Sequence, residues 1–406
     1  MPQKLLSDYR LAIRENHFAD EAMLLEQLTD RYGPTSEQRA AIARRAHQVI
    51  EKVRHHTAPT MMESFMQEYG LSSEEGLGLM TLAEALLRVP DSETVDQLIE
   101  DKIAPAKWTD HFGKSDNALV NASTIALGLS KTLLDTEHQG PLSAIQNAAK
   151  RLGSPVIRSS VQQAMRMLGG QFVLGETIEA AMKRARKWEK QGATYSYDML
   201  GEAAVTAQDA EDFYEAYDHA LDRIAEAAES DDIRTNPGLS IKLSALYPRY
   251  EMSQQSRAVP RLAERVSKLA RKAAKANIGL NIDAEEAYRL GLSLDLIELV
   301  LADPELTGWD GFGVVVQAFG KRASFVIDWL YALSTQLDRK IMVRLVKGAY
   351  WDAEIKRAQV EGMPGFPVFT TKHHTDISYI SNARKLLGMT DRIYPQFATH
   401  NAHTVA

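Results

Sequence analysis

The chain contains no cysteine, which excludes a disulfide framework, thiolate metal sites and a cysteine nucleophile together. No apolar run approaches the roughly 20 residues that a membrane-spanning helix needs. The opening MPQKLLSDYRLAIRENHFADE is interrupted by charge throughout and does not read as a signal peptide. The expected location is therefore the cytoplasm, with peripheral attachment to the inner membrane face compatible with the same composition. Positive charge is in short supply too: Lys plus Arg number 47 against 54 Asp plus Glu, a formal net charge of −7. Such a chain is a poor general binder of nucleic acid, whose affinity comes largely from phosphate neutralisation. Internal repeats, low-complexity tracts, a GxGxxG turn and an HExxH helix are all missing.

What is present divides into two rhythms. With 406 residues, 45% hydrophobic and 25% charged, the chain is long enough for two or three domains with their own cores. Up to about residue 190 the signals are helical. In SSEEGLGLMTLAEALLRVP, Ser72 and Glu75 have capping-box spacing, apolar residues follow at helical intervals, and Pro90 ends the run. Further helices are expected at 91–103, 36–52, 118–133, 159–168 and 175–192. The first domain is accordingly a helical arm and helical domain over 1–190.

From 191 to 406, short β-rich runs alternate with amphipathic segments such as 259–275 and 287–302, the pattern of βαβ units around a parallel sheet. Strands are expected near 194, 238, 279, 311, 340 and 392. Their polar residues gather toward the C-terminal ends, where a (β/α)₈ TIM-type barrel carries its active site. Those positions hold Asp198, Lys242, Asp283, Gln317, Arg344, Lys347, Thr399, His400 and Asn401. A doubly wound sheet would advertise a Gly-rich turn after its first strand, so the barrel is the better fit. Six strands are found where eight close the barrel, and the expectation is a barrel truncated at its C-terminus.

Each polar residue has a bland reading beside the chemical one. Lys242 lies in an apolar strand and needs a partner; Asp283 of the next strand is available, as a structural ion pair or as part of a site. Arg344 suits an anionic ligand or a reduced flavin because it is a fixed, multi-donor cation, and it could equally be a surface residue at a strand end. Gly348 would let a ligand approach the backbone closely, with Tyr350 and Trp351 as pocket walls. Gln317 reads as a ring-edge contact or a loop cap. His400 and His403 have HxxH spacing, which alone is weak, and adding His373 and His374 gives no ligand geometry; no metal is expected. TTKHHTD, just before a helix, has groups suited to phosphate or is a solvated loop.

Taken together, SYDMLGE, SIKLSALYPRY, NIDAEEA, VVVQAF, IMVRLVKGAYWDAEIKRAQ and IYPQFATHNAHT resemble the successive barrel strands of FAD-dependent proline dehydrogenase. Through EEGLGLMTLAEALLRVPD and GETIEAAMKRARK the likeness extends to the bacterial bifunctional flavoenzymes of the proline utilization A family. That resemblance implies FAD as cofactor and oxidation of L-proline to pyrroline-5-carboxylate, with hydride transfer to flavin N5. Lys242 and Asp198 would belong to the substrate pocket and Tyr350 would pack on the proline ring. Asp283 and Arg344 would be central to catalysis, Arg344 near flavin N5. Gln317, Val346, Lys347, Gly348, Thr370, Lys372, Thr399, His400 and Asn401 would hold the FAD.

The family also implies a membrane quinone as electron acceptor, and the helical half would wrap the barrel or support a homodimer. Its NAD-dependent aldehyde dehydrogenase domain would lie beyond Ala406. The arginine pair that grips the proline carboxylate in the family does not occur before Ala406. Some members begin with a DNA-binding ribbon-helix-helix; this N-terminus opens on the helical arm, so no nucleic acid is expected. Two rival readings stand beside this one: a Schiff-base aldolase using Lys242 or Lys347, and a non-catalytic helical interaction module.

Overall fold

The computed structural model describes residues 2–55 and 173–406. The helices expected at 72–90, 91–103, 118–133 and 159–168 lie outside the described residues. Two compact units are formed, one by Met1–Glu51 with Lys187–Ala406 and the other by Lys52–Arg186. Thus the first 51 residues, grouped by sequence with the helices that follow them, cluster with the barrel.

The described elements before the first strand are α1 (Pro2–Glu15), α2 (Glu21–Tyr32), α3 (Ser36–Arg54) and α4 (Ile178–Glu189). Asp20 caps α2 by accepting from the Met23 amide, the favoured role for an aspartate at that position. Leu24, Leu25 and Leu28 line one face of α2 and pack with Phe369, Phe325 and Tyr32. On α1, Arg10 pairs with Asp295, donates to the Gly291 carbonyl at 3.1 Å and lies over the Trp329 ring.

The sheet comprises β1 (Ser196–Asp198), β2 (Gly238–Ile241), β3 (Gly279–Ile282), β4 (Phe312–Gln317), β5 (Ile341–Val346) and β6 (Ile393–Phe397). All pairings are parallel and the strand order is sequential, β1 to β6. Every expected strand is found within a few residues of its place. Between them run α5 (Ala207–Ala225), α6 (Gln255–Lys275), α7 (Leu290–Leu301), α8 (Ala323–Gln336), α9 (Trp351–Val360) and α10 (Lys372–Leu387). The Thr206–Asp209 capping box starts α5. On α6, Ala258, Val259, Leu262, Val266, Leu269, Ala270 and Ala273 are buried, the stripe expected of a helix lying on a sheet. A short helix, α11 (Ala402–Val405), follows β6.

Sequential order is what a TIM-type barrel requires, and one side chain shows that the sheet curls. Flat, β1 and β5 would stand four strand spacings apart, about 19 Å. Yet Arg344 on β5 donates to Ser196 on β1 at 2.7 Å. The fold is α/β, a TIM-type barrel with a helical region before it.

Alternation along the strands sorts the core into two populations. Leu239, Ile241, Leu280, Ile282, Val343 and Leu345 are fully or almost fully buried and pair with the helical layer. Their neighbours Ser240, Asn281 and Arg344 face inward and bond to one another's elements. On the inner face of the described strands these polar groups stand beside Val315, Met342 and Val346. Branched aliphatics usually fill that position in this fold.

Candidate functional site

At the C-terminal ends of the strands lies a cleft of about 990 Å³, at the upper end of the range for ligand sites. Thirteen of the 14 site residues expected from sequence line it: Asp198, Lys242, Asp283, Gln317, Arg344, Val346, Lys347, Gly348, Tyr350, Lys372, Thr399, His400 and Asn401. They come from the ends of all six strands, the loops after them and, for Lys372, the start of α10, so the fold rather than local sequence brings them together.

Two cations organise the floor. The Lys242 ammonium donates to Asp198 Oδ1 and Asp283 Oδ2, each at 3.0 Å. Burial pulls this ammonium toward its neutral form, but Asp283 and Asp198 outweigh burial and hold its pKa above the ordinary lysine value. Lys242 is therefore a fixed positive charge. A Schiff-base lysine must present a neutral amine, so this environment counts against the aldolase reading. Lys347, the alternative nucleophile of that reading, pairs with Asp376. Asp283 is held above the usual carboxyl range, by burial first and by the repulsion of Asp198 second, with Lys242 opposing both.

Arg344 is bound differently. Its Nη1 donates to Ser240 Oγ at 3.0 Å, its Nη2 to Ser196 Oγ at 2.7 Å and its Nε to Gln396 Oε1 at 3.3 Å. Its nearest carboxylate oxygen, Asp283 Oδ1, is 4.0 Å away. Burial lowers the guanidinium pKa while Asp283 and Asp198 oppose the shift. An arginine remains charged through any such change.

The remaining walls offer polar groups of several kinds. Gln317 is clamped at both ends, Nε2 donating to the Glu285 carbonyl at 2.9 Å and Oε1 accepting from the Ala349 amide at 3.1 Å. Tyr350 donates its hydroxyl to Glu202 at 3.0 Å; burial, then Glu202, raises its pKa. Asp376 receives both Lys347 and, at 3.0 Å, Lys372. Gly348 has φ +133°, and a Cβ there would stand 2.5 Å from the Phe319 ring. Packing against Phe319 therefore requires this glycine, whether or not a ligand approaches it. Lys347, Lys372, Thr399, His400 and Asn401 form a donor set suited to phosphate oxygens, with the Gln317 amide beside them for a ring edge. A dinucleotide flavin fits both the volume and this chemistry.

Thr370 is the expected site residue that does not line the cleft. Its amide and hydroxyl donate to Glu21 of α2 at 2.9 and 3.0 Å, and Glu21 also meets His374 Nδ1 at 2.5 Å. Burial pushes the Glu21 carboxyl up, but these bonds outweigh it and lower its pKa. TTKHHTD does not merely precede a helix: Thr371 caps α10 and the next residues form its first turn. Among the described residues, no group of three or more His, Asp or Glu could hold a metal ion.

Comparison with known proteins adds what geometry alone does not. The family model described as proline dehydrogenase matches residues 181–406, more than half of the chain. The chain belongs to the proline dehydrogenase family. It is 50% identical over 366 residues to the bifunctional protein PutA of Klebsiella aerogenes, which covers 89% of this chain and 28% of that protein. It is 48% identical over 390 residues to the PutA of Salmonella typhimurium, covering 95% and 29%. A crystal structure of a mutant Bradyrhizobium japonicum proline utilization A superposes with TM-score 0.70 at 45% identity, covering 96% of this chain and 39% of that one. The chain thus spans under a third of the curated relatives it matches here.

A second family model, described as the DNA-binding domain of proline dehydrogenase, matches residues 61–172, which lie outside the described residues. The expectation that nucleic acid has no part here finds no support in that match. Among the described residues of this family member, no helix is long and apolar enough to cross a membrane.

Several residues of the site escape the sequence reading: Ser196, Ser240 and Gln396 around Arg344, Glu202 against Tyr350, Asp376 between two lysines, and Glu21. The first three were accessible in principle. Each sits two residues before an inward-facing position at a strand end, so period-two alternation marks them as interior. Glu21 carries no such signal, being 349 residues from the threonine that it binds.

Proposed function

We propose that this chain forms the proline-oxidising barrel of a bifunctional enzyme of proline catabolism, converting L-proline to pyrroline-5-carboxylate with FAD accepting the hydride at N5. The observation that carries this reading is the division of labour at the cleft floor, a lysine hydrogen-bonded to two carboxylates beside an arginine whose hydrogen bonds go to neutral oxygens and whose nearest carboxylate oxygen is 4.0 Å away. Lys242, kept as an ammonium, offers the positive charge that a substrate carboxylate needs. Asp198 and Asp283 orient it, and Tyr350, anchored by Glu202, presents its ring to the substrate ring. Arg344 directs a full positive charge toward the place where negative charge accumulates on reduction, the kind of preorganised electrostatics that speeds reactions most.

Gln317, Val346, Lys347, Gly348, Lys372, Thr399, His400 and Asn401 would hold the dinucleotide, through amide, backbone and cationic contacts. Thr370 would join them only by exchanging Glu21 for a phosphate. Residues 1–190 would form the helical arm and domain and 191–406 the barrel domain. A membrane quinone would reoxidise the enzyme at the inner membrane face, the rest of the protein being cytoplasmic, and the helical region would support a homodimer.

The test is the visible spectrum of the purified protein before and after anaerobic L-proline. Flavin bands that bleach on adding proline are expected. A protein from the complete gene that carries no flavin overturns the reading, and flavin that proline leaves oxidised overturns the assignment of substrate.

A further inference from the structure

The inner layer of the barrel beneath the cleft is built of groups that this fold does not usually place there. Ser240 is fully buried, Ser196 stands 3.2 Å from it, and Asn281 donates to Ser196 at 3.4 Å. A buried hydroxyl without a partner is unfavourable, and a branched aliphatic would fill the same space without that penalty. The use of this layer is visible in Arg344, whose three bonded nitrogens each end on a neutral oxygen: Ser240, Ser196 and Gln396.

Carboxylates were within reach. Asp283 approaches Arg344 only to 4.0 Å, while its other oxygen bonds Lys242 at 3.0 Å, and Asp198 bonds the same lysine. The acids are thus engaged by one cation and the hydroxyls by the other. The distinction matters electrostatically. A carboxylate fixes a guanidinium and cancels its charge; a hydroxyl fixes it and leaves the charge available to a third party.

We propose that Ser240, assisted by Ser196, is a positioning residue that seats Arg344 through neutral acceptors, so that its charge is left to be presented to the flavin ring in the cleft rather than cancelled by a hydrogen-bonded carboxylate. This rests on the flavoenzyme reading above. A cation near the ring tunes cofactor electronics, so a role through Arg344 must appear in the reduction potential.

The experiment compares Ser240→Asp with Ser240→Asn in the full-length, flavin-loaded protein. The two side chains have nearly the same shape and both present an oxygen to Arg344; they differ in charge. With Asp, the ratio of oxidised to reduced flavin at a fixed poise is expected to rise at least tenfold, which is about 30 mV toward negative potential for a two-electron couple. With Asn it should stay within about threefold of wild type, a tenfold difference again being about 30 mV. For the Asp variant kcat should fall while KM for proline changes little, because Arg344 serves the flavin rather than the substrate.

Equal shifts for Asp and Asn would show a size effect and overturn the proposal, as would no shift in either. If a variant at buried Ser240 fails to fold, the Ser196→Asp and Ser196→Asn pair makes the same comparison at an exposed hydroxyl. A wild type that bleaches with proline while both pairs fail to separate overturns this inference alone. A wild type without flavin overturns the functional reading with it.

Discussion

Replacing Lys242 by methionine keeps an unbranched side chain one atom shorter and removes the charge that Asp198 and Asp283 share. Removing one partner from a fully buried ion pair destabilises by about 3–5 kcal/mol. Here Asp283 is 16% exposed and Asp198 46% exposed, so water screens the second carboxylate and the expected loss is about 2–3 kcal/mol at pH 8. The loss should depend on pH in a definite direction. Asp283 already has a folded pKa above its unfolded value, through burial and the nearby Asp198; without Lys242 it rises further. A carboxyl with a raised folded pKa stabilises the native state at low pH, and that contribution disappears as pH rises through the folded pKa. Lys242 itself, with its folded pKa raised, contributes fully at every pH below its unfolded value, so it adds no slope in this window. The difference between wild type and variant should therefore be largest near pH 8 and shrink by half or more at pH 5. Urea midpoints of the full chain at the two pH values measure it. A variant equally destabilised at both, or not destabilised at all, would refute the view that two carboxylates share one ammonium here.

Three further expectations concern other parts of the barrel unit. Gly348→Ala should destabilise the protein by roughly 2 kcal/mol, seen as a lower melting temperature even after its cofactor is stripped, because the new Cβ meets Phe319 at 2.5 Å. An unchanged flavin-free melting point would mean that the glycine answers to a ligand instead. Glu21→Ala removes three hydrogen bonds, to Thr370 twice and His374 once, and should cost about 1–2 kcal/mol. A double-mutant cycle with Thr370→Val checks it, since strict additivity would show that the two do not interact. His17 has its pKa pushed down to about 4, by burial and then by Arg322. Its stabilising effect is present above the unfolded value near 6.5 and is lost as pH falls toward 4, so His17→Gln should flatten the acid limb of the stability curve.

The architecture was legible because parallel strands buried on two sides announce themselves as short β-rich runs, and amphipathic helices separate them at regular intervals. All six strands and the helices 255–275 and 290–301 follow that logic. The cleft was legible for a related reason: polar residues at strand ends have few places to point in a barrel except the mouth. What stayed hidden depends on closure in three dimensions. Alternation marks Ser196 and Ser240 as interior, but nothing local names their partner, Arg344, which lies 148 and 104 residues away and reaches across the interior to them. Gly348 suggests room for a ligand, and only the fold adds the ring of Phe319, in the loop after the neighbouring strand, as a second reason for it to lack a side chain. Glu21 was missed for the same reason, since nothing near it in sequence mentions Thr370.

That last contact has a bearing on how the protein is made. Glu21 and Thr370 are 349 residues apart, and at ribosomal rates of about 5–20 residues per second the helix bearing Glu21 precedes its partner by roughly 20–70 s. Through that interval Leu24, Leu25 and Leu28 lack Phe369, the aromatic against which they finally pack. Between the two events a nascent chain carries this leucine stripe without its aromatic cover, a surface open to whatever shields apolar segments at the ribosome.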